Sequence, residues 1–151
     1  MQREIPEKVA LELLSIPPLI FRLLRRKLIK SAQEDIEADV RLVHFEIMHV
    51  VKEEGKLHVA EIGHKLQIAK AQMTHLIDKL VELGLVERQM DATDRRTLNI
   101  DLTEKGKARL EEHENAMVNA VRENMSSLTE SEIVSLSSSL RNLRDILFKL
   151  Q

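Results

Sequence analysis

At 151 residues the chain has room for one domain with a substantial core, and a second independent domain would be cramped. Hydrophobic residues make up 43% and charged residues 32%, a balance that excludes a disordered chain and suits helices with one apolar face. The lack of cysteine excludes disulfides, thiolate metal sites and cysteine redox sensing, and a net charge of −2 argues against non-specific coating of nucleic acid.

With no Trp or Tyr, the core has to come from Leu, Ile, Val and Met. No stretch approaches the roughly 18 apolar residues that cross a bilayer. Arg3 and Glu4 open the chain without an apolar signal core, so a cytoplasmic protein with no membrane partner is expected.

Pro6 suits the first turn of a helix through Val9, Leu11, Leu13 and Leu14. Pro17 and Pro18 are expected to break or kink it, because each removes a backbone donor. A second helix then carries Leu19, Ile20, Leu23, Leu24 and Leu28 on one side and Arg22, Arg25, Arg26, Lys27 and Lys30 on the other. That basic run reads as a solvated face, with phosphate contact or a membrane surface as alternatives. Asp39 is the candidate cap of a helix that turns Val40, Val43, Ile47, Val50 and Val51 inward and stops at Glu54-Gly55.

The middle of the chain changes character. Val59–Leu66 reads as a short helix and Lys70–Leu83 as a longer one, closed by Gly84. Leu85–Gln89 and Thr97–Leu102 alternate like strands on either side of the polar segment Met90–Arg96, which predicts a hairpin. Thr103 then caps a long helix to about Met125, and Ser126-Ser127 interrupts it. Thr129 to Glu132 has the spacing of a capping box for a last helix with Ile133, Leu136, Leu140, Leu143, Ile146, Leu147 and Leu150 on its apolar side. The three serines at 137–139 fall on its exposed or closely packed side.

The fold class is therefore mainly α with a small β-hairpin wing. A winged helix-turn-helix core over 39–103 is flanked by helices over 6–34 and 104–151, all within one domain. Those terminal helices have long apolar faces and little to bury them against. A second copy of the chain answers that need, and two-fold dimers are the commonest solution.

Catalysis has little support: there is no nucleotide loop, no cysteine and no triad that can be singled out. The six histidines give no i, i+4 pair for a compact metal site, so neither metal nor cofactor is expected.

Four short motifs follow in order from Val59 to Gly106. They are Ala60-Glu61 at the first helix, L-x-x-x-G-L-V-x-R from Leu80 to Arg88, D-x-R at Asp94 and Arg96, and L-T-x-x-G at Leu102, Thr103 and Gly106. In this the chain resembles the MarR family of winged helix-turn-helix transcription regulators. The resemblance implies a homodimer on double-stranded DNA at a pseudo-palindromic site, more a repressor than an activator, often released by a small-molecule effector between dimer helices and winged core. It also implies that Asp94 and Arg96 work as a pair, with Asp94 orienting an arginine or pinning the turn. In some members histidine and glutamate of the dimer-facing helices bind zinc. His44 falls near such a position, but its companion pair is missing.

Side-chain chemistry fills in that picture. On Lys70–Leu83 the apolar residues Met73, Leu76, Ile77, Leu80 and Leu83 seat the helix, leaving Lys70, Gln72, Thr74, His75 and Lys79 for DNA. Gln reads adenine bidentately, and Thr bonds either base class or touches a thymine methyl. Lys65 and Lys70 suit phosphates, while Arg95 and Arg96 at the hairpin tip suit a narrow minor groove. Phe21, Arg25, His44, Phe45 and Met48 are the candidate lining of an effector pocket, aliphatic rather than stacking in character. Ala69 stands where the family usually has Ser or Pro, so the recognition helix would rely on Gln67 or a DNA phosphate for its first donors. From Gly55 to Gly106 eight Lys or Arg balance eight Asp or Glu, so the DNA reading rests on where charges sit. A winged module for protein contacts is the alternative.

Overall fold

The computed structural model describes residues 4–34 and 40–150. Its first element corrects the sequence reading, since α1 runs unbroken from Glu4 to Glu34 through Pro17 and Pro18. The prolines deny the carbonyls of Leu13 and Leu14 their usual donors, a defect that costs about 3 kcal/mol per proline. The φ that their rings impose is nevertheless helical, and helix continues on both sides. Ser15 Oγ donates to the Glu12 carbonyl at 2.6 Å, just before the defect.

The remaining elements are α2 (Leu42–Glu54), β1 (Leu57–His58), α3 (Val59–Leu66), α4 (Lys70–Glu82), β2 (Val86–Met90), β3 (Leu98–Leu102), α5 (Glu104–Met125) and α6 (Glu130–Phe148). The chain groups into two compact units. One is Met1–Arg25 with Val118–Gln151, and the other is Arg26–Met117.

The second unit holds the winged core. Its α2 begins after Arg41, which has extended backbone at the N-cap. The expected cap, Asp39, lies outside the described residues, as do the side chains of Arg26, Lys27 and Lys30 from the basic run. His44 does the capping: its Nδ1 accepts the Arg41 amide at 2.9 Å, and its own amide donates to the Arg41 carbonyl at 3.0 Å. Gly55 ends α2 at φ +80°, a conformation that glycine adopts without a Cβ penalty.

The sheet has three strands in the order β1-β3-β2, all antiparallel, where the sequence predicts a two-stranded ribbon. The added strand is Leu57-His58, with Leu57 opposite Ile100 and His58 opposite Asn99. Two residues are too few to show alternation, and only their pairing with β3 marks them as strand. Ile47, Met48, Ile62, Met73, Ile77, Leu80, Ile100 and Leu110 fill the core. Burying each such side chain is worth roughly 2 kcal/mol.

Phe45 and His113 stack at 3.8 Å between centroids with planes 7° apart, and the Arg109 guanidinium lies 5.0 Å from the Phe45 ring. These contacts tie α5 to α2. So does Glu114, which takes a hydrogen bond from Lys52 Nζ at 2.6 Å and faces His49 Nδ1 at 3.0 Å. The Lys52 bond holds the Glu114 carboxyl below its ordinary value of 4.5, with His49 acting the same way and burial opposing both.

A carboxyl depressed in the folded state contributes stability above its unfolded pKa and loses it as pH falls through the folded value. Glu114→Gln should therefore flatten the acid limb of the stability curve, by less than about 1 kcal/mol for a partly exposed cluster. Urea midpoints from about pH 3 to 7 check this, and parallel curves for the two proteins would refute it.

In the other unit, Asn124 Nδ2 donates to the Leu23 carbonyl of α1 at 3.3 Å and to the Ala120 carbonyl at 2.9 Å. The capping box of α6 forms as expected: Thr129 Oγ1 accepts the Glu132 amide at 3.2 Å, and Glu132 Oε2 accepts the Thr129 amide at 2.8 Å. Thr129→Ala should cost about 1 kcal/mol, read as a lower urea midpoint. No residue of α6 is buried, Leu136, Leu143 and Leu147 are half-buried, and Ser137, Ser138 and Ser139 are exposed. Among the described residues no helix is long and apolar enough to cross a membrane.

Candidate nucleic-acid interface

Helix α3 starts at His58, whose amide donates to Glu61 Oε1 at 3.2 Å. That bond is the physical content of the Ala60-Glu61 motif: the acid sits at the third helical position and reaches back to the cap. The helix ends at Gln67, the one non-glycine residue among those described with positive φ, at 54°. Its amide and that of Ile68 return to the His64 and Gly63 carbonyls at 3.3 and 2.9 Å. Gln67 thus closes α3, while α4 begins at Ala69 with no side-chain cap. An open cleft of about 520 Å³ lies over this turn, lined in part by His64, Gln67, Ala69 and Lys70.

Helix α4 buries Met73, Leu76, Ile77 and Leu80 and turns Lys70, Gln72, Thr74 and His75 to solvent. Four of the five residues expected to meet DNA from this helix therefore share its free side. Thr74 Oγ1 donates to the Lys70 carbonyl at 3.2 Å. Lys79 is half-buried and pairs with Glu82 at 3.6 Å, so it is less available than the sequence suggests. Lys65 on α3 pairs with Glu54 at 2.5 Å, and a phosphate would compete with that carboxylate.

The wing loop is built from two aspartates. Asp91 Oδ1 accepts the Thr93 amide at 2.9 Å and its hydroxyl at 2.8 Å, and Asp91 Oδ2 meets His58 Nε2 at 3.3 Å. The Thr93 amide chiefly, then its hydroxyl, hold the Asp91 carboxyl below the ordinary range. Asp94 Oδ1 accepts the Arg96 amide at 3.0 Å, and its carbonyl accepts the Thr97 amide at 3.0 Å. Of the two roles considered for Asp94, the geometry is that of pinning the turn. Arg95 and Arg96 are exposed, and among the described residues neither forms an ion pair.

Two links escaped the sequence reading. Arg88 on β2 is hydrogen-bonded to Asp78 on α4, fastening the wing to the helix. Thr103 Oγ1 donates to the Gly84 carbonyl at 2.6 Å. Both residues belong to motifs that the sequence displays, but a motif does not say which side chain meets which.

The candidate effector-pocket residues are divided between the two units. His44, Phe45 and Met48 are core side chains, 2%, 4% and 0% exposed. Phe21 and Arg25 belong to the other unit, where both are exposed. These positions lie on the inward face of α2 by helical spacing, so pattern could not separate a pocket wall from packing.

Residues 40–106 match the family model for a winged helix DNA-binding domain. Over 98% of both chains, the fold superposes on a MarR family protein from Bacillus stearothermophilus with a TM-score of 0.75 and 26% identity. The chain carries a winged helix DNA-binding domain and is similar in fold to MarR family structures. Among curated relatives, the Bacillus subtilis repressor MdtR is 27% identical over 88 residues, which cover 58% of this chain and 57% of the relative. The uncharacterized HTH-type transcriptional regulator YsmB of the same organism is 32% identical over 90 residues, 60% of this chain and 62% of the relative. The chain thus spans about three-fifths of the length of these relatives.

Proposed function

We propose that this protein regulates transcription by binding double-stranded DNA as a homodimer, more as a repressor than as an activator. The observation that carries the reading is the free side of α4. Lys70, Gln72, Thr74 and His75 stand exposed opposite the buried Met73, Leu76, Ile77 and Leu80, and the wing adds two exposed arginines that form no ion pair among the described residues. That pairing of a major-groove reader with a minor-groove probe fits duplex DNA better than a protein surface. The names of its relatives support regulation, and MdtR is called a repressor.

The dimer is supported by apolar surface. Val9, Leu14, Leu19 and Leu23 of α1 and Val134, Ile146 and Phe148 of α6 are more than half exposed, or close to it at Leu19 and Leu23. Such faces on terminal helices are what a second copy would cover. Two-fold symmetry then places half-sites about one helical turn, roughly 34 Å, apart. A small-molecule effector would act by favouring a dimer in which that separation is wrong. Its site would not be the closed packing around Phe45.

Selection of duplexes from a random pool, followed by affinity at several salt concentrations, tests the reading. Enrichment of a palindrome bound well above the non-specific level is expected. A folded dimer that enriches nothing would sink it and favour a winged module for protein contacts.

A further inference from the structure

The first turn of α5 grips the end of α4. Thr103 Oγ1 donates to the Gly84 carbonyl at 2.6 Å and accepts the Gly106 amide at 3.0 Å, so its one proton and a lone pair are both used. The Thr103 amide donates to the Leu85 carbonyl at 3.2 Å, and Lys105 Nζ donates to the Leu83 carbonyl at 2.8 Å. Three successive carbonyls, at the C-cap of α4 and the two residues beyond it, thus find donors from Thr103 and Lys105 at the start of α5. Gly106 closes the contact, because a Cβ there would stand 1.9 Å from the Leu85 oxygen. The opposite end of α4 has no side-chain cap.

We propose that Thr103 is a positioning residue for DNA reading: its hydroxyl fixes the C-terminal end of α4 against α5, so that the Lys70–His75 row is presented at one angle. This rests on α4 being the DNA reader, as argued above. Bidentate contacts to base edges demand that angle, whereas attraction to phosphates tolerates a range of them. Loss of the hydroxyl should therefore weaken specific binding and spare non-specific binding.

The test compares wild type, Thr103→Val and Thr103→Ser in the full chain. The readouts are hydrogen exchange at the Gly84 and Leu85 amides, and affinity for a selected duplex and a scrambled one. Valine keeps the shape and removes the hydroxyl. It should speed exchange about tenfold and weaken specific binding about tenfold, the effect of one buried hydrogen bond, with scrambled-duplex affinity unchanged. Serine should restore both. Lys105→Met, which leaves the cap intact, should move both readouts the same way by about threefold.

Normal discrimination by the valine variant overturns the inference, whatever its exchange, and so does failure of serine to restore. Equal loss on both duplexes overturns it as well, marking a merely structural role. A wild type that selects no sequence defeats the DNA reading itself and this role with it. That failure is visible in the wild type alone, before any variant is compared.

Discussion

Gly106→Ala is expected to destabilise the winged unit by about 3 kcal/mol or more, enough to remove much of the stability of a marginal domain. The methyl group would lie 1.9 Å from the Leu85 carbonyl oxygen and 2.8 Å from its carbon. Both are backbone atoms, so no rotamer change relieves the clash. Either α5 lifts off the strand or β2 shifts at its start. A lift breaks the Thr103 bonds to Gly84 and Gly106, and a shift disturbs the Val86–Leu102 pair that begins the β2–β3 ladder.

Gly55→Ala makes the contrast. Its Cβ would meet nothing within 4 Å, but the backbone has φ +80°. That change should cost less, about 2 kcal/mol, the penalty of a positive-φ extended backbone that is almost exclusive to glycine, without crowding. Urea unfolding of both variants measures the difference. Equal losses would mean that the approach of α5 to Leu85 relaxes freely.

The same residues show what a sequence displays and what it hides. Helix α3 has the bounds that periodicity predicts, and Gly55 and Gly84 end α2 and α4 with positive φ, because local chemistry dictates those points. Thr129-x-x-Glu132 is legible for the same reason: both partners lie within one turn. Misjudgements arise where distant parts decide. Pro17-Pro18 reads as a break by propensity, yet α1 continues through it. Leu57-His58 is strand only because β3 supplies partners.

The candidate site divides in the same way. The exposed side of α4 follows from its period, so Lys70, Gln72, Thr74 and His75 are found without a structure. The salt link that engages Lys65 depends on where Glu54 of α2 falls, which charge counting misses, whereas Lys79–Glu82 is an i, i+3 pair that the helix itself displays. Asp94 could have served a guanidinium or an amide. Only geometry shows that it holds the amide.

That last detail makes the wing testable without unfolding it. The double variant Arg95→Ala, Arg96→Ala should bind operator about 100-fold more weakly, with dimerisation and unfolding unchanged. The turn should survive, since Asp94 takes the backbone amide of residue 96, which alanine retains, and Asp91 is tied to Thr93 and His58. A dimer loses four positive charges. If each neutralises one phosphate, the slope of log affinity against log salt should become shallower by up to about four.

Asp94→Ala is the complementary variant. It frees the turn while leaving both guanidiniums in place, so affinity should fall with little loss of salt dependence. A double-arginine variant with wild-type affinity would remove the wing from the interface and leave α4 to read DNA alone. A fall in affinity with an unchanged salt slope would point instead to arginines that act on the wing's shape, which the present geometry gives no reason to expect.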